Sequence, residues 1–235
     1  MENTTQSIAE FCVNTSYEVI PQVVIDRTKL LILDTIGIIT RARHDSESTG
    51  SMLAALEKMG LTQGECNVFG DTATYPPAIA ALINGSLAHS LDFDDTHAEA
   101  SIHASAPIIP AAIAAAQMVG ASGKDLITAC VIGYEIHVRL GKAVGAEDHY
   151  IRGFHPTATC GIYAATAAAG KILKLNSDQI ESAFGISLSQ TAGAMQFLKD
   201  GAWTKRLHVG QASQNGLMAA FYVREGFKGP KESLE

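Results

Sequence analysis

Two stretches of this chain offer almost no polar face to water. From Pro107 the sequence runs P-I-I-P-A-A-I-A-A-A-Q-M-V to Val119, and from Ala164 it runs A-A-T-A-A-A-G to Gly170. A helix that is small and nearly uncharged all round is buried, and its small residues let neighbours approach closely. Both stretches therefore read as central helices, and the fold class that follows is all-α, a multi-helix bundle around a buried Ala-rich layer. With 235 residues, 47% of them apolar, the chain is long enough for one large core, read as a single helical domain over 1–235.

The remaining segments carry helix signals. Pro21 serves as a first-turn residue for an apolar run through Val24, Leu30, Leu31, Leu33, Ile36 and Ile38 that ends near Arg41. A second run, Met52, Leu53, Leu56 and Met59, stops at Gly60, and Pro76 and Pro77 open a helix through Ile79, Leu82, Ile83 and Leu87. Pro107 and Pro110 begin the first Ala-rich helix, which ends at Gly120. Ser122 with Asp125, and Asn176 with Gln179, have the spacing of capping boxes. Gly170 and Gly185 mark close packing or breaks. The segment Cys66 to Asp71 is the best strand candidate, but it is short and isolated, so no sheet is implied.

The net charge of −7 and the lack of a basic stripe exclude a general nucleic-acid surface. No apolar run is long enough to span a bilayer, and the first residues lack a secretory signal pattern, so a cytoplasmic location is expected. Cys12, Cys66, Cys130 and Cys160 contain no C-x-x-C pair and read as reduced packing residues.

Chemistry concentrates in three places. The segment Asn84 to His103 sets His89, Asp92, Asp94, Asp95, Thr96, His97 and His103 among Leu87, Leu91 and Phe93, so part of a charged set must approach buried surface, which requires a partner or ligand. Three acids within four residues could hold magnesium, but a second acidic helix is missing and the histidines suit proton transfer better. Asp94 or Asp95 also fits as a cap for the next segment, and His103 as a hydrogen-bonded core histidine. Second, Arg152-Gly-Phe-His-Pro-Thr-Ala-Thr159 puts His155 and Thr157 at a helix N-terminus, which favours anions; His155 fits equally as a cap or turn residue. Third, Trp203-Thr-Lys-Arg-Leu-His208 makes Lys205, Arg206 and His208 a receptor for carboxylates or else surface charges, with Trp203 a packing anchor. Together they suit elimination or proton transfer beside a carboxylate.

The strings N-G-S-L-A-H-S-L-D-F-D-D-T-H, G-Y-E-I-H-V-R-L-G, G-F-H-P-T-A-T-C-G and T-K-R-L-H-V-G, collinear between about Ser7 and Phe227, resemble the MmgE/PrpD family. That family includes 2-methylcitrate dehydratase, cis-aconitate decarboxylase and iminodisuccinate epimerase. The resemblance implies a large all-α domain with a smaller α/β lid, a homodimer, and no metal or organic cofactor. By the same resemblance His103, His155, Lys205, Asp92 and Thr96 occupy catalytic positions, with Arg206, His208 and Thr157 expected to bind substrate. Two departures stand out: Ala104 where members often have proline, and a length about half that of typical members, so the lid, a lid-borne tyrosine and the closing helices are expected to lie outside this chain.

The expected function is a lyase or isomerase domain using metal-free acid/base chemistry on a small di- or tricarboxylic acid, 2-methylcitrate dehydratase-like, or a decarboxylase or epimerase. The expected partners are that polycarboxylate, a second copy of the chain, and a separately encoded lid fragment, with no nucleic acid and no membrane. The alternative is an inactive truncated helical domain that serves dimerisation or weak carboxylate binding.

Overall fold

The computed structural model describes residues 3–235. Its helices are α1 (Thr4–Asn14), α2 (Gln22–Asp45), α3 (Glu47–Lys58), α4 (Pro77–Ala88), α5 (Ser105–Val119), α6 (Gly123–Ala143), α7 (Ala146–Ile151), α8 (Pro156–Thr159), α9 (Gly161–Ile172), α10 (Ser177–Gln190) and α11 (Thr204–Arg224). The fold is mostly α, as the sequence pattern predicts. The strand candidate is corrected in one respect: β1 (Cys66–Asn67) does have a partner, β2 (Thr74–Tyr75), paired antiparallel with Cys66 opposite Tyr75. The two-residue ladder ties down the loop between α3 and α4 and buries Cys66 and Tyr75.

The Ala-rich stretches form α5 and α9, and both are central. Every residue of α9 except Lys171 is buried, and α5 is buried from Ser105 to Ala115. These two helices pack on each other; α6 and α11 also lie against α9, while α4 packs on α5 and α11. Helix α5 begins two residues before Pro107 and carries Pro110 inside it without ending, then stops at Gly120, whose left-handed φ of 63° closes the helix. Both capping boxes form, at Ser122/Asp125 on α6 and Asn176/Gln179 on α10.

Helix α2 differs from its periodicity reading. Its buried residues are Ile25, Thr28, Thr35, Ile38, Ile39 and Ala42, while Leu30 and Leu33 are 58% and 67% exposed. The helix is apolar on two faces, and the β-branched face with Ala42 fits against α4 and α5, leaving the leucines outside.

Close approach sets where α11 lies. A Cβ on Gly210 would stand 2.1 Å from Ser86 Oγ and 2.5 Å from the Leu82 carbonyl oxygen on α4. One on Gly216 would stand 2.6 Å from Ala165 Cβ on α9. Since backbone cannot yield cheaply, Gly210→Ala is expected to cost about 1–3 kcal/mol of unfolding free energy by overpacking. Gly37→Ala on α2, where a Cβ meets nothing within 4 Å, should instead be neutral or stabilising by up to about 1 kcal/mol. Urea unfolding of the two variants reads both effects.

Candidate active site

The segment after α4 doubles back on itself. His97 N–H donates to the Ile102 carbonyl at 2.9 Å, and left-handed φ values of 53° at Asp92, ahead of this bridge, and 51° at Ser101, inside the turn it closes, bend the chain. Asp95 leaves the polar cluster to hold the start of α5: its Oδ1 accepts from Ser105 N–H at 2.9 Å and its Oδ2 from Tyr134 OH at 3.1 Å. Tyr134 OH also bonds Ser105 Oγ. Asp95 is thus the capping acid of the segment.

The return brings Asp94 between two histidines. His89, just past the last turn of α4, sets its Nδ1 2.7 Å from Asp94 Oδ2, with both side chains fully buried. His103 Nδ1 stands 3.4 Å from the same oxygen and 3.3 Å from the Asp94 carbonyl, and its side chain remains 22% exposed. Burial raises the carboxyl pKa of Asp94, but hydrogen bonds from His103 and His89 and their charge outweigh it and hold Asp94 well below the usual carboxylate range. Burial likewise works against a charged His103, yet the Asp94 carboxylate and carbonyl raise its pKa above the ordinary histidine value.

His155 stands at the N-terminus of α8, where its side chain makes no cap. Its backbone N–H is pinned to the Gly193 carbonyl at 2.8 Å, and its ring stacks on His89 with centroids 5.4 Å apart. His208 of α11 lies 6.0 Å from His155, and Phe197 packs against both. Burial first, then the charges of His89, His208, Lys205 and His103, push the His155 pKa down to about 2. His208 is lowered by burial and His89. One cluster thus holds a histidine biased to the cation and one biased to the neutral ring.

Of the residues expected from the sequence, His103, His155 and His208 meet in this cluster. Lys205 reaches across to it and bonds Asp92 Oδ1 at 2.5 Å, both side chains being open to solvent. Thr157 is fully buried, and its Oγ1 accepts from His103 N–H at 3.1 Å, so it orients the histidine rather than facing the cleft. Arg206 bonds Ser46 Oγ and Ser48 Oγ at the junction of α2 and α3 and makes no hydrogen bond to the cluster. Thr96 is exposed, with no hydrogen bond among the described residues. His89 and Asp94 are absent from that expected set although they are its buried centre; the apolar residues flanking both, Leu87, Leu91 and Phe93, are the signal for them in the sequence.

Beneath lies His137 of α6, fully buried, its ring against the backbone of Ala104, Pro156 and Thr157 without closing a hydrogen bond to any of them. Burial, partly offset by those backbone groups, lowers its pKa to about 4.

Residues 6–235 match the MmgE/PrpD N-terminal domain. This chain belongs to the MmgE/PrpD family. Among similar MmgE/PrpD relatives, the cis-aconitate decarboxylase-like protein oryM of Aspergillus oryzae is 33% identical over 242 residues, covering 99% of this chain and 49% of that protein. The cis-aconitate decarboxylase of Aspergillus terreus is 32% identical over 236 residues, covering 98% and 48%. The human cis-aconitate decarboxylase is 32% identical over 217 residues, covering 90% and 44%. The chain thus spans about half the length of the curated MmgE/PrpD relatives it matches. Among the described residues no helix is long and apolar enough to cross a membrane.

The buried neutral histidines set an acid limit on stability. His137 and His155 stay neutral down to about pH 4 and about pH 2 when folded, whereas an unfolded chain binds a proton at each near pH 6.5. Below that pH the unfolded state binds more protons, so stability falls as pH drops from about 7 to 5, by about 1 kcal/mol per pH unit for each histidine. His103 has the opposite sign: its contribution is complete below about pH 6.5 and is lost as pH rises through its raised folded pKa. Urea midpoints across this range should show the acid-side slope, and His155→Gln should reduce it; a flat profile would contradict the neutral assignment.

Proposed function

We propose that this domain carries the proton-transfer half of a lyase that works on a small di- or tricarboxylic acid by side-chain acid/base chemistry, without a metal. The observation that carries the reading is His103, biased to the imidazolium by buried Asp94 yet open to the cleft beside the Lys205 ammonium. Among reactions of the family, the names of the relatives favour decarboxylation of a cis-aconitate-like substrate over dehydration of a 2-methylcitrate-like one.

In this reading a substrate carboxylate draws Lys205 away from Asp92, and His208 donates a hydrogen bond to the same or a second carboxylate. The bond from carbon to the departing carboxylate breaks, carbon dioxide leaves, and the electron pair stays on carbon, delocalised over the adjacent double bond. His103 protonates that carbon and Asp94 keeps the ring oriented; His155, neutral and carrying an unpartnered Nδ1, exchanges hydrogen bonds with the substrate. Thr157 and Arg206 then act on the scaffold, and Thr96 lies on the rim.

Homodimerisation and closure by a lid fragment belong to the same proposal. Exposed Val23, Leu30 and Leu33 on α2 support self-association, and exposed Phe93, Phe154 and Trp203, each close in sequence to Asp92, His155 or Lys205, support a cover over the cleft. That open apolar rim equally favours the second reading, a domain that binds carboxylates without turning them over, since an uncovered cleft leaves water to weaken its electrostatics.

Turnover of cis-aconitate and 2-methylcitrate, with and without a separately produced lid segment, decides between them. The lyase reading expects carbon dioxide release from cis-aconitate with the lid present, reduced about 10²–10⁴-fold by His103→Gln. Asp94→Asn should move the basic limb of the pH profile to lower pH, because it removes the charge that raises His103. Calorimetric binding of a tricarboxylate, weakened by Lys205→Ala but with no turnover of either substrate, establishes the second reading instead.

A further inference from the structure

The trio at the centre of the cleft is a donor set as well as a proton-sharing set. His89, Asp94 and His103 each present one ligand atom, and all three atoms lie within 4.8 Å of one another. A tetrahedral zinc ion, with bonds of about 2.0–2.1 Å to nitrogen and oxygen, needs its ligand atoms about 3.4 Å apart. His103 Nδ1 and Asp94 Oδ2 already have that separation at 3.4 Å; His89 Nδ1, at 2.7 Å from the same oxygen, has to open by a fraction of an ångström, and the two histidine donors, within 4.8 Å of each other, have to close by at most about 1.4 Å.

A second observation points to a ligand. Asp94 Oδ1 is buried and has no hydrogen-bond partner among the described residues, as is true of His89 Nε2. A buried ionised carboxylate with an idle oxygen is costly, and such orphaned groups call for a bound species. Two imidazoles and one carboxylate suit zinc and its neighbours in the transition series, whereas magnesium requires an oxygen shell that this set does not supply. The side chain of His103 is 22% exposed, so the trio borders solvent, and a fourth position would be left to water or a substrate carboxylate.

We infer that His89, Asp94 and His103 bind a zinc-class divalent cation in place of the proton they share, and that this cation shuts the site. The binding clause stands on geometry alone; the inhibition clause rests on the proposed proton-transfer role. Zinc-bound histidines ordinarily donate their second ring nitrogen to a partner, and His89 Nε2 has none, so the site is exchangeable rather than structural. The charged and titratable groups facing the trio are Lys205 with its partner Asp92, His155 and His208, and His137 of α6 beneath His103. The Lys205 ammonium opposes a cation and weakens the site further. Because the cation displaces a proton, uptake strengthens as pH rises.

Zinc titrated into the purified chain against a chromophoric chelator tests binding without any need for turnover. One zinc per chain is expected, with proton release, tighter at about pH 7.5 than at about pH 6, and not displaced by magnesium. Asp94→Asn and His103→Gln should each weaken uptake at least about tenfold, and His44→Gln, exposed on α2 outside the trio, should leave it unchanged. Circular dichroism checks each fold, and His103→Gln decides alone if Asp94→Asn does not fold. No stoichiometric uptake, or uptake indifferent to the decisive variant, overturns the binding clause. Where turnover is measurable, zinc bound at the trio without loss of rate, or a loss that a chelator does not reverse, overturns the inhibition clause; absence of all turnover bears on the proposed function and leaves the uptake result to stand.

Discussion

The local order of this cleft depends on the Asp94 carboxylate shared between His89 and His103. An ionised carboxylate out of water costs several kcal/mol unless opposite charge and hydrogen bonds answer it. Here one oxygen is answered twice, from a fully buried ring and from a half-buried one, and the chain around it is shaped to keep that arrangement. The His97–Ile102 bridge turns the segment back, and Asp95 anchors its far end by capping α5 at Ser105. Replacing Asp94 with a neutral side chain therefore does more than delete a charge: it removes the reason for His103 to face inward.

The buried layer and the cleft are linked by small residues. Gly210 lets α11 lie directly on α4 at Gly85, with Gly210 Cα 3.0 Å from where a Gly85 Cβ would be. One helix carries Lys205 and His208 and the other ends at His89, so the same contact that closes the bundle assembles opposite walls of the cleft. Any side chain at the contact separates the helices and widens the spacing between cationic and histidine groups. Packing in the core is thus felt as geometry at the surface.

Much of this was legible in the sequence, and the illegible parts share a cause. The central helices, both capping boxes and the left-handed stop at Gly120 follow from local composition, because one or two residues decide each of them. The buried face of α2 does not: a helix apolar on two sides has no periodicity that selects between them, and the choice was made by what α4 and α5 could accept. The partner of β1 was hidden because a two-residue strand carries no alternation. Asp92, Asp94 and Asp95 are equivalent by spacing, and only the return of the loop, through left-handed Asp92 and Ser101, sends one to Lys205, one to the histidines and one to a helix cap. Arg206 sits in the same motif as Lys205, yet its guanidinium bonds hydroxyls of Ser46 and Ser48, because successive residues of a helix face different directions.

Residue type alone cannot divide the histidines of the cleft into donors and acceptors, since all begin from the same ordinary pKa. Burial divides them. His155 is desolvated with no carboxylate among the described residues within reach of a hydrogen bond, and the cationic and histidine neighbours around it add to the penalty on its charged form. His103 is less deeply placed and has Asp94 beside it, so a smaller desolvation cost meets a larger opposing charge. The two shifts reinforce each other, because each proton held on His103 makes a second on His155 less favourable. The cluster is thus biased to carry its proton on His103 and to keep His155 neutral, and that asymmetry, rather than the number of histidines, gives neighbouring identical side chains opposite protonation.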